Sequence, residues 1–70
     1  MSVFDDVEYV KSSGRLDILD ERTRSIIGSF TDHTTIEDVA AMFSLTRERI
    51  RQICSRAAHT TREATRGATR

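Results

Sequence analysis

Apolar residues recur along this chain at helical rather than strand spacing. Val3, Phe4, Val7 and Val10 alternate with Asp5, Asp6 and Glu8, a pattern that predicts a short amphipathic helix over Val3 to Val10, ending near Ser12-Ser13-Gly14. A second helix is predicted from Asp20 to Phe30. Asp20 suits its N-cap, Glu21 its first turn, and Leu19, Ile26, Ile27 and Phe30 its buried stripe, with Gly28 as a weak interior position. The polar run Thr31-Asp32-His33-Thr34 reads as a loop. The next helix is capped by Thr34 or Thr35, with Glu37 or Asp38 closing a capping box, and Ile36, Val39, Ala40 and Phe43 face inward. It stops at Ser44-Leu45. A fourth helix starts at Thr46 as N-cap and meets no breaker until Gly67. From residue 61 onward the only apolar residue type is Ala, so nothing there is expected to anchor a core, and the end is expected to fray.

The fourth helix has two unlike sides. At about 100° per residue, Ile50, Ile53, Cys54 and Ala57 share one narrow stripe. Arg47, Glu48, Arg51, Gln52 and Ser55 lie opposite, flanked by Arg49 and Arg56. Arg pairs with guanine and Gln with adenine through two hydrogen bonds each, and Glu accepts from the cytosine amino group. A face of this kind at the start of a helix, behind a short turn, is what reading the major groove requires. The same residues also fit a solvated face, with Glu48 bonded to Arg51 or Gln52 one turn on. Spacing favours the groove. With Ile36 as the first position of a helix-turn-helix, Ala40 is fifth, where a small residue lets two helices cross. Ser44 is ninth, in the turn, and Ile50 and Ile53 are fifteenth and eighteenth, locking the second helix onto the first. Val39, Phe43 and Leu45 fill the remaining core places. Glycine is the more comfortable residue where such a turn needs positive φ, so Ser44 implies a strained or altered turn.

Charge sharpens this picture. Lys plus Arg and Asp plus Glu number eleven each, which alone speaks against nucleic acid. Residues 1 to 38, however, hold nine acids against four bases, whereas residues 39 to 70 hold seven arginines against Glu48 and Glu63. A chain so polarised can offer one end to phosphates. The acidic N-terminal run reads as helix surface and capping; such a segment can also mimic DNA or cover a neighbour's recognition helix. Seventy residues without Pro or Trp allow one small all-α domain of about four helices, too small for a catalytic fold with its own cleft. The single cysteine, Cys54, excludes an internal disulfide and fits a reducing compartment; on the inward stripe it reads as a small buried hydrophobe. Neither a membrane-length apolar stretch nor a signal-peptide start is present, and a cytoplasmic location is expected. His33 and His59 each stand alone, with no carboxylate pair or phosphate loop, so no enzyme activity, metal or cofactor is expected.

The run TIEDVAAMFSLTRERIRQI, Thr35 to Ile53, closely resembles the helix-turn-helix of region four in bacterial housekeeping sigma factors. Within it TRERIRQI, Thr46 to Ile53, reads like that family's promoter-recognition helix, and LDERTRSII, Leu19 to Ile27, resembles the helix that opens region four. The resemblance implies a domain that binds the upstream promoter hexamer and grips the flap of the polymerase β subunit. It implies that Arg47, Glu48, Arg51 and Gln52 approach bases and that Thr46 and Arg49 hold the backbone. Arg56 matches a basic position lying near DNA and activator proteins. Cys54 departs from the acidic residue usual at its place, and Ala58, His59 and Thr61 from a leucine-bearing continuation.

The length leaves no room for the other sigma regions, so a free-standing region-four-like domain is expected. Its expected layout is a short helix and linker over 1–14, the helix-turn-helix domain over 15–60 and a polar basic tail over 61–70. The leading reading is a sequence-specific transcription regulator, repressor or activator, that binds double-stranded DNA through Thr46, Arg47, Glu48, Arg49, Arg51, Gln52, Ser55 and Arg56. A lone helix-turn-helix usually gains affinity by pairing. A homodimer is therefore expected, joined through the segment around Val3, Phe4, Val7, Tyr9 and Val10 or through the Ala-rich fourth helix. The alternative is a region-four mimic that binds RNA polymerase or a sigma partner as a protein-interaction module.

Overall fold

A computed structural model describes residues 3–68. It is all helical: α1 (Val3–Ser13), a 3-10 turn (Leu16–Ile18), α2 (Glu21–Ser29), α3 (Ile36–Met42) and α4 (Arg47–Ala68). No strand occurs among the described residues.

Local chemistry sets most of the boundaries. Asp5 and Asp6 stand in the first turn of α1 and Lys11 in its last, complementing the helix dipole at both ends. Gly14 then takes φ 71°, a left-handed step that costs glycine little. Asp20 caps α2 by accepting from the Thr23 amide at 3.4 Å. The Thr23 hydroxyl also donates to Asp20, and this bond holds the exposed Asp20 carboxyl below the usual carboxylate range. At α3 the capping box resolves to Thr35 and Asp38: the Asp38 amide donates to Thr35 Oγ1 at 3.2 Å, and the Thr35 amide to Asp38 Oδ2 at 3.0 Å. Two backbone donors that a bare helix start leaves open are thus satisfied.

The core gathers around α4, against which α1, α2 and α3 all pack. Val7 and Val10 of α1, Leu19, Ile26, Ile27 and Phe30 from the α2 region, Val39 and Ala40 of α3, and Ile50, Cys54, Ala57 and Ala58 of α4 are buried together. Ile36, Phe43, Leu45 and Ile53, all expected inside, are half-buried against this cluster. The 3-10 turn has no counterpart in the sequence reading, and it adds Leu16 and Ile18 to the same margin. Contacts from both neighbours fix α1 in place. Lys11 Nζ donates to the Phe30 carbonyl at the end of α2; Phe4 meets Phe30 edge-on at 5.7 Å; and the Arg62 guanidinium lies 5.3 Å from the Tyr9 ring centre.

One expectation is corrected by this packing. The stretch from residue 61 does contribute to the core, because Thr61 is fully buried and α4 continues through Gly67 to Ala68. Small side chains at 57, 58 and 61 are all buried where the other helices pack on α4, a form of core that a count of large apolar residues misses. The expected fraying concerns the chain's end, where positions 69 and 70 lie outside the described residues. Of the residues in the segments named as dimer contacts, Val7, Val10, Ala57 and Ala58 are buried within the chain, and Phe4 (47% exposed) and Tyr9 (37%) are the large hydrophobics that α1 leaves exposed.

Thr61 Oγ1 is buried with no hydrogen-bond partner among the described residues. A hydroxyl in that position has given up water without replacement, at a cost of about 1–3 kcal/mol. Thr61→Val keeps the shape and removes the hydroxyl. It is expected to stabilise the domain by about 1 kcal/mol, raising the melting midpoint by roughly 4–8 °C. Thermal unfolding followed by circular dichroism checks this; a lowered midpoint would reveal a hidden partner for the hydroxyl.

Candidate nucleic-acid interface

The turn between α3 and α4 aims the second helix. Phe43 closes α3, Ser44 takes φ 57°, and two crossed backbone bonds follow: Ser44 N–H to the Ala41 carbonyl at 3.3 Å and Leu45 N–H to the Ala40 carbonyl at 2.9 Å. This pairing is the Schellman arrangement, which needs a left-handed residue at the position Ser44 holds. The strain expected of a non-glycine residue there is found as that positive φ. Ser44→Gly is expected to stabilise the domain by about 1 kcal/mol, since glycine adopts αL without the Cβ clash. Urea titration measures it, and an unchanged midpoint would mean that unfolded-chain entropy cancels the gain.

Thr46 begins α4 as the sequence predicts. Its hydroxyl accepts from the Arg49 amide at 3.1 Å, and its carbonyl from the Ile50 amide at 3.1 Å. From this start, every third or fourth residue turns inward: Ile50 and Cys54 are fully buried and Ala57 nearly so. All eight candidate residues, Thr46, Arg47, Glu48, Arg49, Arg51, Gln52, Ser55 and Arg56, are exposed. One helix therefore carries a buried seam and an uninterrupted hydrogen-bonding surface.

Within that surface Arg51 and Glu48 form an ion pair at 3.1 Å with both side chains 62% exposed. The pairing expected of an ordinary solvated face is thus present. An exposed pair of this kind is worth about 0–1 kcal/mol, so a base edge or phosphate can displace Glu48 at little cost. Cys54, directly behind, has its thiol pushed up to about 12, chiefly by burial and secondarily by the charge of Asp6. It stays a protonated thiol near neutral pH and serves as a small hydrophobe.

Two neighbours of this face were not nominated from sequence. On one side, Val3 and Asp6 of α1 wall a cleft of about 570 Å³ whose opposite wall is Glu48, Arg51, Gln52, Ser55, Arg56 and His59. On the other, Arg22 at the start of α2 shares a groove with Arg49 and Arg56, above Ile18, Leu19, Leu45, Ile53 and Ala57. Both depend on which helix lies beside α4, and no local motif announces that. His59, read as a solitary surface residue, belongs to the first cleft. Among the described residues no group of three or more His, Cys, Asp or Glu side chains is placed to hold a metal ion, and no helix is long and apolar enough to cross a membrane.

Comparison with known proteins gives one family. The family model described as "Sigma-70, region 4" matches residues 15–63. This span begins just beyond α1 and takes in α2, the turn at Ser44 and most of α4. No curated protein and no solved structure matches the chain.

Proposed function

The chain belongs to the Sigma-70 region 4 family, a family of DNA-binding helix-turn-helix domains, and from that premise we propose that it is a sequence-specific transcription regulator that reads DNA with the first half of α4. The helix enters the major groove from Thr46. Arg47, Glu48, Arg51, Gln52 and Ser55 face base edges, while Thr46, Arg49 and Arg56 hold the phosphate backbone. The observation that carries this reading is the exposure of all eight side chains on a helix whose other side is sealed into the core. Burial of Ile50, Cys54 and Ala57 fixes the rotation of α4, so its polar face is presented without further rearrangement.

Pairing supplies the affinity a single domain lacks. The chain binds as a homodimer, each copy on one half-site, with half-sites about one helical turn apart. Light scattering on the purified protein at micromolar concentration tests the pairing, and a strict monomer that still binds tightly overturns it.

Selection of bound sequences from a random duplex pool tests the function itself. The expected result is a defined, half-site-repeated motif. Recovery of no motif, together with capture of core RNA polymerase by the same protein, would instead make it a protein-interaction module.

A further inference from the structure

We propose that Asp6 of α1 is an electrostatic brake on the recognition surface, a fixed negative charge that weakens sequence-independent attraction of the duplex to α4. The inference rests on the DNA-reading function above and goes beyond it. It concerns a helix that lies outside the matched residues 15–63.

Packing brings Asp6 to this position. Val7 and Val10 seat α1 on α4, and with those two residues fixed the first turn of α1 is carried to the edge of the groove-reading face. Asp6 and Val3 form one wall of the 570 Å³ cleft; Arg51, Gln52, Ser55, Arg56 and His59 contribute to the other. Asp6 makes no ion pair with any described residue: the pairs are Arg15 with Asp17, Glu48 with Arg51, and Glu63 with Arg66. Its charge is therefore not neutralised locally. It nonetheless reaches into α4, since it helps to raise the Cys54 thiol one layer behind the surface.

A duplex lying along α4 brings phosphates toward Arg51 and Arg56, and so toward Asp6. Like charges within a Debye length, about 10 Å at 0.1 M salt, repel through a site edged by protein. The bases carry no net charge, so the brake opposes the phosphate contribution, which is the part of affinity common to all sequences. Glu8 is a built-in control. It sits on the same helix with the same charge, is exposed, and lies about 200° further round the helix from Asp6, away from the cleft.

The test is fluorescence anisotropy of a labelled random-sequence duplex with the full chain, comparing wild type, Asp6→Asn and Glu8→Gln at about 0.05 M and about 0.2 M salt. Asp6→Asn is expected to tighten binding about three- to tenfold at the lower salt, with the gain shrinking at the higher. Glu8→Gln is expected to gain less than half as much. Equal gains from both variants would mean that net charge matters and the cleft does not, overturning the proposal. So would unchanged or weaker binding by Asp6→Asn. Should Asp6→Asn melt early, Asp6→Ser, which retains a helix-start hydroxyl, must give the same tightening. If wild type and both variants all fail to bind any duplex, the DNA-reading function falls and the brake with it. Binding by the wild type with no response at position 6 removes the brake alone.

Discussion

Ile50→Ala is expected to destabilise the domain by about 2–5 kcal/mol, the largest loss of any single truncation considered. Ile50 is fully buried on the side of α4 that faces the other helices, at the eighteenth-to-fifteenth seam that holds the two arms of the helix-turn-helix together. Removing three carbons from such a site costs about 2–5 kcal/mol, the lost transfer energy plus the cavity left behind. A domain of this size has a total stability of roughly 4–10 kcal/mol, so the loss removes about half of it. Val39, also fully buried, joins the same core cluster from α3, and the fully buried side chains of that core are mostly β-branched or small. They have few rotamers with which to fill the space. The measurement is urea unfolding followed by circular dichroism, with Ile53→Ala as comparison. Ile53 is only half-buried, and its truncation is expected to cost clearly less. Equal losses at 50 and 53 would contradict the observed rotation of α4 and, with it, the face assigned to DNA.

That rotation was legible in the sequence because it depends on residues close together along the chain. Ile50, Cys54 and Ala57 declare the seam through their spacing alone. Thr35 with Asp38, and Thr46 with the Arg49 amide, are contacts across three residues, which a capping pattern predicts directly. Ser44 was readable for a similar reason: the helix-turn-helix spacing placed it where the backbone needs positive φ, and φ 57° is found there. What escaped was long-range and chemically quiet. Thr61 looks like surface in any window of its neighbours, and it is buried only because other helices, distant along the chain, pack against α4. Asp6 reads as an ordinary first-turn acid favourable to the helix dipole. Its place in a cleft with Arg51 and Gln52 follows from how α1 crosses α4, a tertiary fact. Arg22 is invisible on the same ground, since the groove it shares with Arg49 and Arg56 is lined by residues from the 3-10 turn, the start of α2 and α4 together.

Arg51→Ala and Gln52→Ala are each expected to weaken binding to the selected DNA motif by about 1–3 kcal/mol while leaving affinity for random duplex nearly unchanged. The asymmetry follows from what each group can contact. Arg51 and Gln52 present planar, two-point hydrogen-bonding groups on the exposed face of α4, and two-point contacts to a base edge are lost on the wrong base. Phosphate contacts are lost equally on every sequence. Arg51 must first leave Glu48, at 3.1 Å, but the exposed pair holds it by about 1 kcal/mol at most, less than a good base contact returns. Glu48→Gln, which frees Arg51, is accordingly expected to change discrimination less than Arg51→Ala does. Arg56→Ala is the opposing case. It removes a charge at the edge shared by both clefts, so its loss is expected to lower affinity on all sequences together and to reduce the salt slope by about one unit. Competition binding with the selected motif and with random duplex, each at several salt concentrations, separates the two signatures. Uniform losses for Arg51→Ala and Gln52→Ala, with a flattened slope, would place both residues on the phosphates and leave discrimination to the remaining face residues, Arg47, Glu48 and Ser55.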